Sequence, residues 1–228
     1  MQAGHAKETL SGVVMRTQPA IRQKSLTLCL ALAGFAVLLG ALPLVRQPPG
    51  PSRRLSPIII DPSGVSPGDL VFRRGRSMVS RAVLSIDGKS EYSHVGIVVS
   101  AGNPIRIVHA IPPEETNPGG VIAEPLQSFL TPDLASAAAV YRPRDSGIGV
   151  RAAARAWKYT RPRRPFDSDF DLSTPGAVYC TELIWRAYLD EGVDLVGRGF
   201  KDRYLLPSRL LTSPELHLIK EYRQEEIP

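Results

Sequence analysis

One cysteine in this sequence has the setting needed for covalent catalysis. Cys180 begins the segment "CTELIWRAYLDEG", and Leu183, Ile184 and Ala187 follow it at the spacing of one helix face. The free N–H groups and the dipole at the first turn of a helix favour a thiolate there. Cys180 is therefore a candidate nucleophile. The structural alternative is a buried, inert cysteine that packs as a small apolar side chain.

Two histidines lie on segments that alternate like neighbouring strands. His94 belongs to "EYSHVGIVVS", His109 belongs to "IRIVHAI", and the turn "AGNP" between them predicts an antiparallel hairpin. We expect His94 to act as a general base and His109 to orient its ring. Structural histidines are the alternative reading. A zinc site with Cys180 is another alternative, but the compact ligand spacings of structural zinc sites are absent from the sequence. No metal and no cofactor are expected.

A long apolar segment near the N-terminus predicts a membrane anchor. Residues 26–45, "LTLCLALAGFAVLLGALPLV", carry no charge over about 20 residues, the length of a helix that crosses a bilayer. Arg16, Arg22 and Lys24 precede it, and the positive-inside rule then keeps the N-terminus cytoplasmic and exports the body. A signal peptide that is cleaved to give a secreted protein is the alternative, although the segment shows no clean cleavage site.

The anchor implies a division of the chain and isolates Cys180. The predicted parts are a cytoplasmic segment (1–25), the anchor or signal sequence (26–45), a Pro/Arg-rich linker (46–55) and the exported domain (56–228). Because the other cysteine, Cys29, lies in the anchor, it cannot approach Cys180 closely enough for a disulfide. Cys180 would therefore be an unpaired thiol in an oxidising compartment.

Charge and composition limit the partners that the domain can have. The formal charge is +6, with basic clusters at residues 73–76 and 161–164. No nucleic-acid-binding motif or aromatic interleaving accompanies these clusters, so we expect no nucleic-acid partner. They are either solvated loops or contacts for an anionic membrane surface or polymer.

Strand patterns fill the first half of the exported domain and helix patterns fill much of the second half. This segregation predicts an α+β fold, an antiparallel sheet with helices packed against it. The predicted strands are 69–73, 91–100, 105–111, 120–126, 135–143 and the C-terminal 216–222; helices are predicted at 149–160 and 180–191, and a helical or irregular stretch at 77–86.

Five segments together resemble a known family. "PGDLVF", "YSHVGIVV", "IRIVHAI", "PFDSDF" and "VYCTELIWRAY" resemble the YiiX-like branch of the NlpC-type, papain-like cysteine hydrolases, over residues 66 to 206 or so. This branch is circularly permuted and related to lecithin retinol acyltransferase, and its histidine strand precedes its cysteine helix. The resemblance implies a permuted papain-like fold with Cys180 as nucleophile and His94 as base. His109 would fill the third catalytic position, where many members of the branch carry an acid.

The resemblance also implies residues that shape the cleft. Phe166 and Asp167 match the aromatic-Asp loop of the family. Tyr92 and Tyr179 flank the expected site in sequence, and the hydroxyl of either could help to hold an oxyanion. These four residues are candidates for substrate binding.

These expectations combine into an exported, membrane-anchored cysteine hydrolase that uses a Cys-His-His triad and a thioester intermediate. We expect an amidase or peptidase in the inner membrane of a bacterium, with its domain in the periplasm or cell exterior and cell-wall peptide amides as substrates. A lipid acyl hydrolase or acyltransferase with the same triad is the first alternative. A catalytically silent module that binds cell-wall fragments or lipid is the second. The expected partners are a small peptide or acyl substrate, including peptidoglycan fragments, and the membrane.

Overall fold

The computed structural model of the chain describes residues 54–197 and 199–227. The strands in chain order are β1 (Arg54–Leu55), β2 (Leu70–Gly75), β3 (His94–Ser100), β4 (Arg106–Ile111), β5 (Gly120–Pro125), β6 (Ala135–Pro143), β7 (Leu216–Arg223) and β8 (Glu226–Ile227). Six of them form one antiparallel sheet in the order β5-β4-β3-β2-β6-β7, and β1 pairs with β8. The predicted hairpin of β3 and β4 lies near the middle of this sheet.

In the part of the chain that the structure describes, five α-helices accompany the sheet, as the predicted α+β class requires. They are α1 (Met78–Asp87), α2 (Leu126–Phe129), α3 (Ser146–Lys158), α4 (Cys180–Leu189) and α5 (Pro207–Leu211). Helix α3 begins before the predicted residue 149, because the Asp145 side chain accepts the backbone N–H of Ile148 at 3.1 Å and caps an earlier turn.

The predicted anchor lies outside the described residues, as do residues 1–25 and all but the end of the linker. No helix in the described ranges is long and apolar enough to cross a membrane. The anchor at 26–45 therefore stays a prediction from the sequence.

Both faces of the sheet are buried. On one face α3 and α4 cover alternate strand residues, among them Val95, Ile97 and Val108. On the other face α2 and an N-terminal segment cover the intervening residues, among them Val98 and Ile107. Side chains of either parity on the central strands therefore lie inside the molecule, whereas edge strand β7 is largely exposed.

The alanine-rich sequence of α3 lets this helix lie close to its neighbours. Ala152, Ala153 and Ala156 are buried between the helix and the sheet. The backbone approaches closely as well: a Cβ on Gly68 would lie 2.4 Å from the carbonyl carbon of Gly149, and Gly68 has φ +97°. Only glycine meets both conditions at residue 68.

Helix α4 has a well-defined start, which fixes its first residue. The Glu182 side chain reaches back to the N–H of Tyr179 at 3.4 Å and also accepts Arg186 Nε at 2.7 Å. Leu183 and Ile184 are fully buried against the sheet. This capping and burial place Cys180 at the N-terminus of the helix, beside the sheet.

Candidate active site

Four adjacent strands carry a row of polar side chains on the α2 face of the sheet. In the strand register Arg73 lies opposite His94, and His109 and Glu124 follow on the same face of β4 and β5. Phe129 of α2 packs over this row, with its ring centre 5.5 Å from that of His94, 4.9 Å from that of His109 and 4.4 Å from the Arg73 guanidinium. The register thus groups residues that are far apart in sequence.

A continuous chain of hydrogen bonds joins three members of the row. His94 Nε2 lies 2.9 Å from His109 Nδ1, and His109 Nε2 lies 2.8 Å from Glu124 Oε1. An ionised carboxylate can only accept, so His109 carries its proton on Nε2 and accepts through Nδ1. His94 must then donate from Nε2, which leaves His94 Nδ1 with a free lone pair. The network therefore assigns one tautomer to each ring.

Electrostatics keep both histidines neutral. Burial lowers the pKa of His94 well below its usual value of 6.5, and the nearby charge of Arg73 and the His109 ring act in the same direction. Burial also lowers the pKa of His109, although the hydrogen bond and the charge of Glu124 oppose the change. His94 is consequently ready to accept a proton at neutral pH.

Cys180 lies where α4 meets the start of β3. Its side chain is partly buried and packs against the α3/α4 side of the core. The N–H of Val95, the residue after His94, is close enough to lower the pKa of the Cys180 thiol. No hydrogen bond joins Cys180 Sγ to His94 within the described residues. The structure therefore brings the thiol, on the α3/α4 side of the sheet, to the backbone of β3 beside His94, whereas the His94 and His109 rings lie on the α2 face. Catalytic contacts often tighten only with substrate bound.

The thiol is protonated at rest, which differs from the thiolate expected at a helix N-terminus. Burial raises the pKa of Cys180 to about 11. The N–H groups of Val95, Thr181 and Cys180 itself and the charge of Arg73 lower this pKa, but they offset the burial only in part. Loss of hydration between helix and sheet outweighs the helix terminus here.

Comparisons with known proteins show the family of the chain. Residues 64–219 match the model of the permuted papain-like amidase family YaeF/YiiX, C92. The chain belongs to this family. It is accordingly a cysteine hydrolase of the amidase and peptidase class. No curated protein matches the chain.

A solved structure shares the fold of this family member. The chain is similar to a protein described as the metalloprotein yiiX from Escherichia coli O157:H7, with 18% identity and a TM-score of 0.54. The match covers 69% of this chain and 98% of that one. Within the described residues of the present chain, no group of three or more His, Cys, Asp or Glu side chains could hold a metal ion.

Sequence reasoning missed two members of the polar row. Glu124 lies in a predicted strand, but only the pairing of Ile107 with Glu124 shows that it shares a face with His109. In the sequence Arg73 belongs to the basic cluster at residues 73–76. In the strand it points inward, where burial lowers its pKa to about 10 and its Nη1 donates to the Phe129 carbonyl at 2.6 Å. The alternation of side chains along the strand "LVFRRG" was the signal that could have shown that Arg73 points inward.

The two tyrosines have hydroxyl partners away from the histidines. Tyr92 donates its proton to Glu221 Oε1 at 2.8 Å, so this hydroxyl is committed to β7. The Tyr179 hydroxyl accepts the N–H of Leu205 at 2.6 Å. Tyr92 is therefore poorly placed to donate a hydrogen bond to an oxyanion. The Tyr179 hydroxyl only accepts in its contact with Leu205, so its own proton is still available for donation.

The aromatic-Asp loop supports the backbone that leads into Cys180. Phe166 forms a bridge with Val178, and the Asp167 N–H donates to the Val178 carbonyl at 3.2 Å. The buried Asp167 carboxylate accepts the N–H groups of Asp169 and Asp171 at 3.0 and 2.9 Å and holds the loop. In this structure both residues act on the segment before Cys180 through the backbone.

Proposed function

We propose that the protein is an amidase whose nucleophile is Cys180, whose base is His94 and whose orienting residue is His109, with Glu124 as a fourth, positioning residue. The hydrogen-bond chain from Glu124 through His109 to His94 carries this proposal. It leaves His94 Nδ1 as the one free basic nitrogen of the row, next to the residue whose N–H faces the thiol. A purely structural pair of histidines would not need a defined free nitrogen.

In the proposed reaction Cys180 Sγ attacks the carbonyl carbon of the amide while the thiol proton passes to His94 Nδ1. The imidazolium then gives this proton to the leaving nitrogen, the C–N bond breaks, and an amine and a thioester remain. Water attacks the thioester with His94 again as base, which releases the acid and restores the thiol. Because the thiol is protonated at rest, proton transfer accompanies the attack.

Charge that develops during the attack has two sources of stabilisation. The N–H groups of Cys180 and Val95 lie close to the sulfur and are the proposed oxyanion donors. The imidazolium of His94 is stabilised through His109 by the carboxylate of Glu124. Arg73 favours the thiolate, because its charge lowers the pKa of Cys180.

The proposed setting follows from the sequence outside the described residues. An uncleaved anchor at 26–45 would hold the domain at the outer side of a bacterial inner membrane, and cell-wall peptide amides are the substrates we propose for it. Secretion after signal cleavage, a lipid acyl substrate for the same triad, and a catalytically silent binding module are the alternatives that the experiment must separate.

The first test is a substrate comparison with the full chain in detergent. Cell-wall stem peptides and acyl lipids are offered separately, amine or fatty acid release is measured, and acid-quenched protein is analysed by mass spectrometry for a thioester on the Cys180 peptide. Amine release from the peptides that disappears in Cys180→Ala and His94→Ala supports the amidase. Release from lipids alone would favour the acyl alternative. Ligand binding that Cys180→Ala leaves intact, without turnover, would favour the binding module.

The positioning role of Glu124 has its own test, the variant Glu124→Gln. Glutamine can present either its oxygen or its NH2 group to His109, so both tautomers of the two histidines become accessible and one of them protonates His94 Nδ1. We expect kcat to fall at least about tenfold with little change in KM. Glu115→Gln, an exposed matched control, should behave like the wild type. An unchanged kcat in Glu124→Gln would contradict the role.

A further inference from the structure

Helix α1 turns an apolar stripe toward solvent. Met78 is 75% exposed, Val79 is 49% exposed and Ile86 is 64% exposed, and Ala82 between them is exposed as well. Residues 78, 82 and 86 recur every four positions and residue 79 lies beside them, so they form one continuous face. In an ordinary surface helix such a stripe faces the core. Here it has no cover among the described residues.

Polar contacts hold the helix in this orientation. Asp87 is the single buried residue of α1, and its Oδ2 accepts the backbone N–H of Ser208 at 2.9 Å. At the other end Ser77 caps the helix by accepting the N–H of Ser80 at 3.1 Å. The outward direction of the stripe is therefore built into the fold and does not depend on a loose end of the chain.

Exposed cations surround the stripe. Arg74 and Arg76 precede α1, Arg81 lies within it and Lys89 follows it, and all four are exposed. None of the four forms a salt bridge with another residue in 54–197 or 199–227. Among the neighbouring acids, Glu91 is paired with Arg223 at 2.7 Å, Asp202 is paired with Arg209 at 3.0 Å, and Asp87 faces inward. The surface around the stripe is consequently positive.

We propose that α1 docks on the anionic surface of a lipid bilayer. The apolar stripe would enter the headgroup region, and the four cations would lie at the level of the phosphates, the arrangement of an interfacial amphipathic helix. Charge complementarity selects this occupant, because an exposed apolar face beside exposed cations that form no salt bridge among the described residues matches a surface that is both apolar and anionic. The inference does not rest on the proposed amidase reaction.

The experiment places an environment-sensitive fluorophore on α1 in the full chain. Ile86→Cys is labelled in a Cys29→Ser, Cys180→Ser background and incorporated into vesicles of phosphatidylcholine, with or without phosphatidylglycerol. We expect a blue-shifted emission and protection from iodide quenching in the vesicles that contain phosphatidylglycerol, and neither in phosphatidylcholine alone. A label at Leu134→Cys, which is 44% exposed and precedes β6, should report water in both. Because the label reports on α1 alone, the result does not depend on whether residues 26–45 cross the bilayer.

Two double variants with the same change of charge distinguish docking of α1 from a general electrostatic attraction of the protein to the vesicle. Arg74→Gln with Arg81→Gln should lower the ratio of docked to undocked α1, obtained from iodide quenching, by about thirtyfold. Arg161→Gln with Arg163→Gln removes the same charge from the second basic cluster and should leave the ratio unchanged. Equal loss in both pairs overturns the proposal, as does a label whose emission is the same in both vesicle types. Protection from iodide that is already complete in phosphatidylcholine vesicles would show that the protein itself covers the stripe, and would also overturn it.

Discussion

Two helices of ten residues, α1 and α4, have opposite relations to the core. Helix α4 buries Leu183, Ile184 and Ala187 against the sheet, whereas the buried residue of α1 is the acid Asp87. Both sequences have the periodicity of an amphipathic helix. The comparison shows that periodicity predicts an apolar stripe but does not say what covers it, because the cover is decided by the strands and caps on either side.

The burial of α4 and the exposure of α1 also suit the two helices to different functions. The burial of α4 holds Cys180 at a fixed point beside β3 and removes water from the thiol, at the expense of a raised pKa. The exposure of α1 leaves a surface that can meet something outside the protein. One helix positions the proposed nucleophile, and the other presents an exposed apolar face.

The largest expected effect lies at the first residue of α4. Cys180→Ala removes the nucleophile, and we expect amidase activity to fall by about 10⁴-fold or more, as in other enzymes that lose a covalent catalyst. Thermal unfolding should change little, because the side chain is small and only partly buried. The matched variant on α1, Ser85→Ala, should keep full activity. Release of amine by Cys180→Ala at the wild-type rate would contradict the proposal that α4 carries the nucleophile.

The second effect is on stability and compares one isoleucine from each helix. Ile184 is fully buried and Ile86 is 64% exposed. Ile184→Ala leaves a cavity, so the free energy of unfolding should fall by about 2–5 kcal/mol. Ile86→Ala should change it by about 0.5 kcal/mol or less, as at other exposed positions.

Urea denaturation of the two variants measures this difference directly. The described domain should unfold at a clearly lower urea midpoint in Ile184→Ala, with an unchanged slope. A comparable loss in Ile86→Ala would mean that the stripe of α1 is covered within the protein, and the docking surface would then have no basis.

Much of the fold could be predicted from the sequence, because the signals are local. The alternation around His94 and His109 and the turn between them gave the hairpin of β3 and β4. The boundaries of β6 agree with the predicted 135–143. The start of α3 was missed by three residues, because a single capping carboxylate, that of Asp145, decides it. The order of the six strands was beyond reach, since pairing between distant segments leaves no short-range pattern.

In the candidate site, too, the sequence predicted the local features and missed those that depend on distant pairing. The hydrogen bond between His94 and His109 follows from two neighbouring strands, and the sequence predicted their association. Glu124 joins them through the register of β4 with β5, which the sequence does not display. The pKa of Cys180 also could not be read from its place in a helix, because it depends on how tightly α4 packs on the sheet.

The smallest expected effect tests two adjacent arginines that alternate on β2. Arg73 belongs to the polar row on the α2 face of the sheet, whereas Arg74 is exposed and lies near α1. The charge of Arg73 lowers the pKa of His94. In Arg73→Gln that pKa rises toward its usual value, so His94 becomes protonated, and unable to act as base, at a higher pH. The acid limb of the kcat/KM profile should therefore move to higher pH, with a larger loss of activity at pH 5 than at pH 7 or so.

Arg74→Gln is the matched control, because it removes the same charge one residue along the strand. Its pH profile should coincide with that of the wild type, while its docking to anionic vesicles should weaken. Arg73→Gln should show the reverse pattern, an altered pH profile with normal docking. If both variants moved the acid limb equally, the electrostatic influence on His94 would come from the overall positive field. The proposed distinction between the inward charge of Arg73 and the outward charge of Arg74 on β2 would then be wrong.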